Sequence, residues 1–117
     1  MESLGEALST FCKIDGVKRV ILTNLNGEIL EHSGETSSLD SPEILILNIL
    51  SLCSDIPGGH KIKEITQSLI EFEDLMLISV PISDSYFLSI IAIMGVNLGR
   101  VRLEIKKNKK IIESALS

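Results

Sequence analysis

The most informative stretch of this sequence is LMLISVPISDSYFLSIIAIMGVNLGRVRLEI, residues 75–105. Two runs within it, 75–82 and 86–94, are apolar at both alternating sets of positions, which is typical of central strands covered on both faces. The short Ser83-Asp84-Ser85 turn between them predicts an antiparallel pair. Pro81 and this turn also leave pieces shorter than the roughly 20 apolar residues that a membrane-spanning helix needs. We therefore expect two strands and no transmembrane segment.

From Asn97 onward the apolar period becomes that of a helix. One stripe of this helix is aliphatic, comprising Leu98, Val101, Ile105, Ile112 and Leu116. The opposite side is basic, comprising Arg100, Arg102, Lys106, Lys107 and Lys110. Leu103 and Ile111 fall on this basic side, where contact with the first helix or with a partner would explain them. The basic run is accordingly interpreted as the exposed face of an amphipathic helix, with an acidic lipid or an acidic protein left open as its contact.

Residues 62–72 form a more polar strand pattern, which favours an edge of the sheet. The short Glu73-Asp74 turn joins this strand to the run 75–82, so the three strands should form an antiparallel meander. An edge strand exposes unpaired amides and carbonyls that can pair with another chain.

The segment 40–56 is predicted to be the middle of three helices. Asp40 caps it, Pro42 lies in its first turn, and Pro57-Gly58-Gly59 ends it. Its apolar arc covers roughly 160°, whereas a helix lying on one sheet needs about 100°. Loops could cover the surplus, but a second copy of the chain is the preferred interpretation. Its narrow polar stripe consists of Asn48, Ser51 and Asp55.

The N-terminal region predicts a helix followed by a hairpin. Ser3 and Glu6 have the spacing of a capping box, and the apolar helical period continues to Asp15-Gly16. The β-prone runs 17–23 and 28–32 are joined through Asn24-Leu25-Asn26-Gly27, where Asn-Gly suits a tight turn. The stretch 32–39 is rich in Ser, Gly, Thr and Glu and is predicted to be a solvated loop.

Charge and composition limit the class of partner. The chain has 117 residues and a formal net charge of −5, which suits one domain spanning 1–117. Residues 1–97 carry a net charge of −9 and residues 98–117 a net charge of +4. Because an acidic body opposes phosphates and aromatic side chains are scarce, nucleic-acid binding is not expected. The acidic start of the chain is unlike a secretory signal, so a cytoplasmic protein is expected.

No catalytic, metal or cofactor site is predicted. His32 and His60 are expected in separate loops without a ligand at metal-site spacing. Gly58-Gly59-His60-Lys61 follows a helix, whereas a phosphate-binding loop runs from strand to helix. The carboxylates Glu71, Glu73 and Asp74 should be solvated at a hairpin tip. Cys12 and Cys53 are expected to be reduced and to pack as small apolar side chains. An enzymatic activity is therefore not expected.

Two stretches of the chain resemble the roadblock/dynein light chain domain family. IDGVKRVILTNLNGEILEHSG (14–34) is similar to the opening Gly-Val, strand, Asn/Asp-Gly turn and second strand of the family. Residues 75–105 are similar to its last two strands and the Asn-Leu-Gly start of its final helix. Arg19 departs from the pattern, because the family often has a glycine there. The resemblance implies an α+β fold, an α/β/α sandwich with topology α-β-β-α-β-β-β-α around a five-stranded antiparallel sheet in the order 2-1-5-4-3.

The resemblance also implies a homodimer formed through the third strand and the middle helix. The expected interface residues are Ile46, Ile49, Leu50, Cys53, Ile65, Gln67 and Leu69. By analogy with the family, the protein is predicted to be a non-enzymatic regulator or platform for a small Ras-like GTPase. Asn48, Ser51 and Asp55 are the expected partner surface. The alternative is a structural or cargo adaptor subunit, of dynein light chain type, with no effect on a nucleotide cycle.

Overall fold

Seven elements of secondary structure lie in the part of the chain that the computed structural model describes, residues 3–34, 58 and 66–116. The helices are α1 (Leu4–Cys12) and α2 (Leu98–Leu116). The strands are β1 (Val17–Asn24), β2 (Ile29–Gly34), β3 (Ser68–Glu71), β4 (Leu75–Pro81) and β5 (Tyr86–Ile93). The predicted middle helix lies outside the described residues.

The five strands form one antiparallel sheet in the order β2-β1-β5-β4-β3. The predicted order and the β3-β4-β5 meander are therefore confirmed, and β4 and β5 are interior strands. Both are buried along almost their whole length. This is why their sequences are apolar at successive positions instead of alternating.

Both described helices cover the same face of the sheet. Leu8 and Phe11 of α1 and Val101 and Ile112 of α2 are fully buried in one apolar cluster with the inward side chains of the sheet. The strand residues in that cluster are Val20, Leu22, Met76, Ile78, Val80, Leu88, Ile90 and Ala92. Aliphatic burial of this extent supplies the main stabilisation of the fold.

The opposite face of the sheet has a smaller buried cluster, formed by Ile21, Leu77 and Ile91. Cross-strand pairing places Ser79 beside Ser89 on this face, and both are 2% exposed. Their hydroxyl oxygens lie 3.1 Å apart and share a hydrogen bond. Arg19 is 5% exposed in β1 and lies opposite Ile91. Thus the residue that departs from the family pattern is part of the buried sheet.

Local polar contacts set the ends of the helices and the first hairpin. The Ser3 hydroxyl accepts a hydrogen bond from the Glu6 amide at the start of α1, as the predicted cap requires. Asn97 makes the equivalent contact with the Arg100 amide before α2. In the hairpin, the Asn24 side-chain oxygen accepts hydrogen bonds from the amides of Asn26 and Glu28. This Asx-type turn brings β2 back beside β1.

Two local predictions need correction. His32 was assigned to the end of a strand and the start of a loop, but β2 continues to Gly34 and pairs His32 with Ile21 of β1. The end of this extension requires glycine, because the φ of Gly34 is +96° and a Cβ added there would overlap the Lys18 carbonyl oxygen. In the predicted strand 62–72, Thr66, Gln67 and Phe72 lie outside β3, and residues 62–65 are outside the described part.

Candidate functional site at the β3 edge

The candidate site is the edge of the sheet formed by β3. This four-residue strand is last in the strand order, and within the described residues it pairs with β4 alone. Leu69 is 36% exposed there, and Ser68 and Ile70 are half-buried. A partly exposed edge strand is a template for pairing with another strand.

Main-chain geometry shows which groups of β3 face outward. The Phe72 amide donates a hydrogen bond to the Leu75 carbonyl at 2.7 Å. In an antiparallel ladder, hydrogen-bonded pairs alternate with pairs that are not hydrogen-bonded. Phe72 and Leu75 form a hydrogen-bonded pair, so the Ile70–Leu77 pair, two residues along, is hydrogen-bonded as well. The Leu69–Ile78 pair next to it is not, and the amide and carbonyl of Leu69 therefore point away from β4. The same alternation directs the amide and carbonyl of Glu71 outward.

Of the predicted interface residues, Gln67 and Leu69 lie in the described part of the chain. Gln67 is half-buried, and its side-chain oxygen accepts a hydrogen bond from Nε of Arg102 at 3.2 Å. This hydrogen bond links the residue before β3 to the helix α2. Sequence reasoning missed it, because the two residues are separated by 35 positions. Only the antiparallel return of the sheet brings them together.

The remaining predicted site residues lie outside the described residues. These are the interface residues Ile46, Ile49, Leu50, Cys53 and Ile65 and the partner-surface residues Asn48, Ser51 and Asp55. Their roles remain predictions.

The exposed side of α2 carries the basic face that the sequence predicted. Arg100, Arg102, Lys106, Lys107 and Lys110 are all exposed. The two aliphatic residues on that side have different environments. Ile111 is half-buried and packs against the main core, whereas Leu103 is 55% exposed. Leu103 is thus one of several large hydrophobic side chains that are exposed in the described part of the chain.

Groups capable of acid–base or metal chemistry are dispersed in the described part of the chain. Glu71, Glu73 and Asp74 are exposed around the β3–β4 turn, as predicted, and His32 is exposed on β2. Over residues 3–34, 58 and 66–116, no group of three or more His, Cys, Asp or Glu side chains could hold a metal ion. Cys12 is unbridged and packs against the main core. Neither described helix has the length and apolarity needed to cross a bilayer.

Comparison with known proteins identifies the fold. No family model matches the sequence, and no curated protein matches it. Among solved structures, MglB of Myxococcus xanthus has a TM-score of 0.79 at 23% identity, covering 95% of both chains. A roadblock/LC7 domain from Streptomyces avermitilis has a TM-score of 0.77 at 15% identity, covering 98% of both chains. An MglB with a tetrameric arrangement has a TM-score of 0.75 at 14% identity, covering 96% of this chain and 86% of that chain. In its fold, this chain is therefore a roadblock/MglB-like domain.

Proposed function

We propose that this protein is a homodimer, formed through β3 and the predicted middle helix, that regulates or holds a small Ras-like GTPase in the cytoplasm. It has no enzymatic activity of its own in this proposal. The observation that carries the proposal is the β3 edge, which within the described residues pairs with β4 alone, in a fold shared with MglB and with a roadblock/LC7 domain. The tetrameric arrangement of one similar MglB supports self-association as a property compatible with this fold.

Pairing of two β3 strands would be antiparallel about a two-fold axis, which is the commonest symmetry of homo-oligomers. It would use the outward main-chain groups of Leu69 and Glu71. A few such hydrogen bonds contribute about 0.5–1.5 kcal/mol each. Association costs at least about 4 kcal/mol in lost translational and rotational freedom. Even about four such bonds would exceed this minimum cost by no more than about 2 kcal/mol, which is too little for a stable dimer. Apolar burial by the predicted middle-helix residues Ile46, Ile49 and Leu50 supplies the remainder.

The GTPase assignment rests on the family resemblance together with the shared fold. In a symmetric dimer the predicted polar stripe of Asn48, Ser51 and Asp55 would occur twice. Such a surface can favour one nucleotide state of a GTPase only by binding that state more tightly. Preference for one nucleotide state is thus the property that separates a regulator from a passive adaptor.

The strand interface is tested by proline substitutions on neighbouring residues of β3. Leu69→Pro removes one outward amide per copy, so two intermolecular hydrogen bonds are lost by symmetry. We expect the dimer dissociation constant to rise about 5- to 150-fold, corresponding to about 1–3 kcal/mol. Leu69→Ala controls for the lost side chain. Ile70→Pro removes an inward amide and should instead lower the stability of the fold. Light scattering over a dilution series would contradict the interface if Leu69→Pro and wild type dissociated equally.

The GTPase assignment is tested by a pull-down from source lysate, run in parallel with GDP and with a non-hydrolysable GTP analogue. Recovery of a small GTPase chiefly with the analogue supports the regulator, and purified Asn48→Lys and Asp55→Lys variants should then recover less of it. Lys109→Glu, on the exposed side of α2, is the control for a change of charge elsewhere. Recovery of the same proteins with both nucleotides, and of no GTPase, would favour the structural adaptor.

A further inference from the structure

A groove of about 690 Å³ lies beside β3, between α2 and the residues that lead into the strand. Its apolar lining comprises Val80 of β4 and Leu103 and Ile105 of α2. Val80 belongs to the main core, so the groove lies on the face of the sheet that carries the helices. A recess of this volume is large enough to accept several side chains of a ligand.

Leu103 is the feature of the groove that the fold itself does not explain. It is 55% exposed, whereas its groove neighbours Val80 and Ile105 are buried and half-buried. Leu103 therefore contributes little to the core and presents an aliphatic side chain at the mouth of the recess. Binding pockets are concave and lined mainly by apolar side chains with a few polar groups, and Leu103 adds to such a lining here.

Among the described residues, the charged side chains that line the groove are Arg102 and Lys106, both cations. Arg102 is held in place because its Nε donates a hydrogen bond to Gln67 at 3.2 Å. These two cations belong to the C-terminal segment 98–117, whose net charge is +4 in a protein of net charge −5. A positive rim around an apolar recess selects a ligand with the complementary pattern.

We propose that this groove binds an acidic amphipathic segment of another protein. The apolar side of the segment contacts Leu103, Ile105 and Val80, and its carboxylates pair with Arg102 and Lys106. A protein segment is favoured over a lipid surface because Val80, which lines the groove, is only 4% exposed. A projecting side chain can reach such a residue, whereas a flat headgroup layer does not. The groove adjoins the proposed dimer interface at Gln67, but the outward main-chain groups of Leu69 and Glu71 do not line it. Because its proposed occupant is neither a second copy of the chain nor a GTPase, the inference goes beyond the proposed function.

Selection from a phage library of random 16-residue peptides on the immobilised protein tests this proposal. Enriched peptides should be net negative and carry apolar residues at helical or alternating spacing. In amide chemical-shift mapping with a synthetic enriched peptide, the largest changes should fall at Gly99, Leu103 and Lys106. Failure to enrich any peptide, enrichment of basic or uncharged peptides, or changes located elsewhere would overturn the proposal.

Matched variants make the test specific to the groove. Leu103→Glu changes a largely exposed side chain and should preserve folding, but it should weaken binding of the selected peptide about 10-fold or more. Lys106→Glu should weaken it about 5-fold. Lys109→Glu is an equal change of charge at an exposed position that does not line the groove, and it should change affinity less than about 2-fold. Equal effects of the two lysine variants would mean nonspecific attraction to the basic helix and would refute a groove site.

Vesicles containing phosphatidylserine serve as the second probe. One contrary result is that the protein binds these vesicles while no peptide is enriched, with Lys106→Glu and Lys109→Glu weakening vesicle binding equally. That result would assign the basic face to a membrane and overturn the proposal. Enriched peptides that reproduce a segment of this chain would overturn it in favour of a second copy as the occupant.

Discussion

The buried pair of serines in the centre of the sheet provides a quantitative test of the structure. Ser79 of β4 and Ser89 of β5 lie directly opposite each other, each is 2% exposed, and their hydroxyl oxygens are 3.1 Å apart. Replacing either serine with alanine removes the hydrogen bond and leaves the other hydroxyl buried without this partner. The penalty for an unsatisfied buried polar group is about 1–3 kcal/mol. Each single variant should lose that much free energy of unfolding.

Replacing both serines should cost much less than the sum of the single changes. The double variant removes both hydroxyls together, so neither is left without the other, and such a paired replacement can be nearly neutral. If the two single changes cost about 2 kcal/mol each, additivity predicts about 4 kcal/mol, whereas we expect about 1 kcal/mol or less. The coupling free energy should therefore be about 3 kcal/mol.

Equilibrium unfolding in urea at a fixed protein concentration measures these values. The midpoints should shift without a change in the m-value, because the surface exposed on unfolding is almost the same in all four proteins. Ser85→Ala, at an exposed turn position where alanine keeps the amide that bonds to Ser83, is the control and should lie within about 0.5 kcal/mol of wild type. Additive costs for Ser79→Ala and Ser89→Ala would refute the proposed coupling between the hydroxyls.

Three further substitutions test local features by the same unfolding measurement. Gly34→Ala should lower the free energy of unfolding by about 2–5 kcal/mol, because alanine combines an unfavourable φ with overlap of the Lys18 carbonyl oxygen. Its control is Gly95→Ala, at φ +91° in open space, which should lower it by only about 1–2 kcal/mol. Equal losses in the two variants would exclude the overlap at Gly34. Thr23→Val should raise the free energy of unfolding by about 1 kcal/mol. Thr23 is fully buried, and its hydroxyl has no hydrogen-bond partner within the described part of the chain. A clear loss of stability would show that the hydroxyl does make a hydrogen bond. Asn24→Ala should lower the free energy of unfolding by about 1–3 kcal/mol, because it removes the acceptor for the amides of Asn26 and Glu28. Asn24→Asp keeps an acceptor oxygen and should lower it less. Similar losses in the two variants would show that these hydrogen bonds do not stabilise the turn.

The candidate site was only partly readable from the sequence. The polar character of residues 62–72 correctly predicted an edge strand, because an edge faces solvent and tolerates polar side chains. The outward direction of the Leu69 main chain depends on the pairing register with β4, which the sequence pattern does not specify. Likewise, Leu103 was visible as an apolar residue on a basic helix face, but its place beside Val80 follows from packing α2 across the sheet.

By itself, the sequence determined the local elements of this protein. The Ser3 cap, the Asn24–Gly27 turn and the apolar runs of β4 and β5 are local signals, since capping, turn conformation and two-sided burial each act through neighbouring residues or a short repeat. Short turns also predicted the β3-β4-β5 meander, but the complete strand order was available only through the family resemblance. Tertiary structure alone decided the contacts between distant segments, including the Arg102–Gln67 hydrogen bond, the Ser79–Ser89 pair and the approach of Gly34 to Lys18. Such contacts arise because forming the sheet and packing the helices on it bring together groups whose separation along the chain carries no local conformational signal.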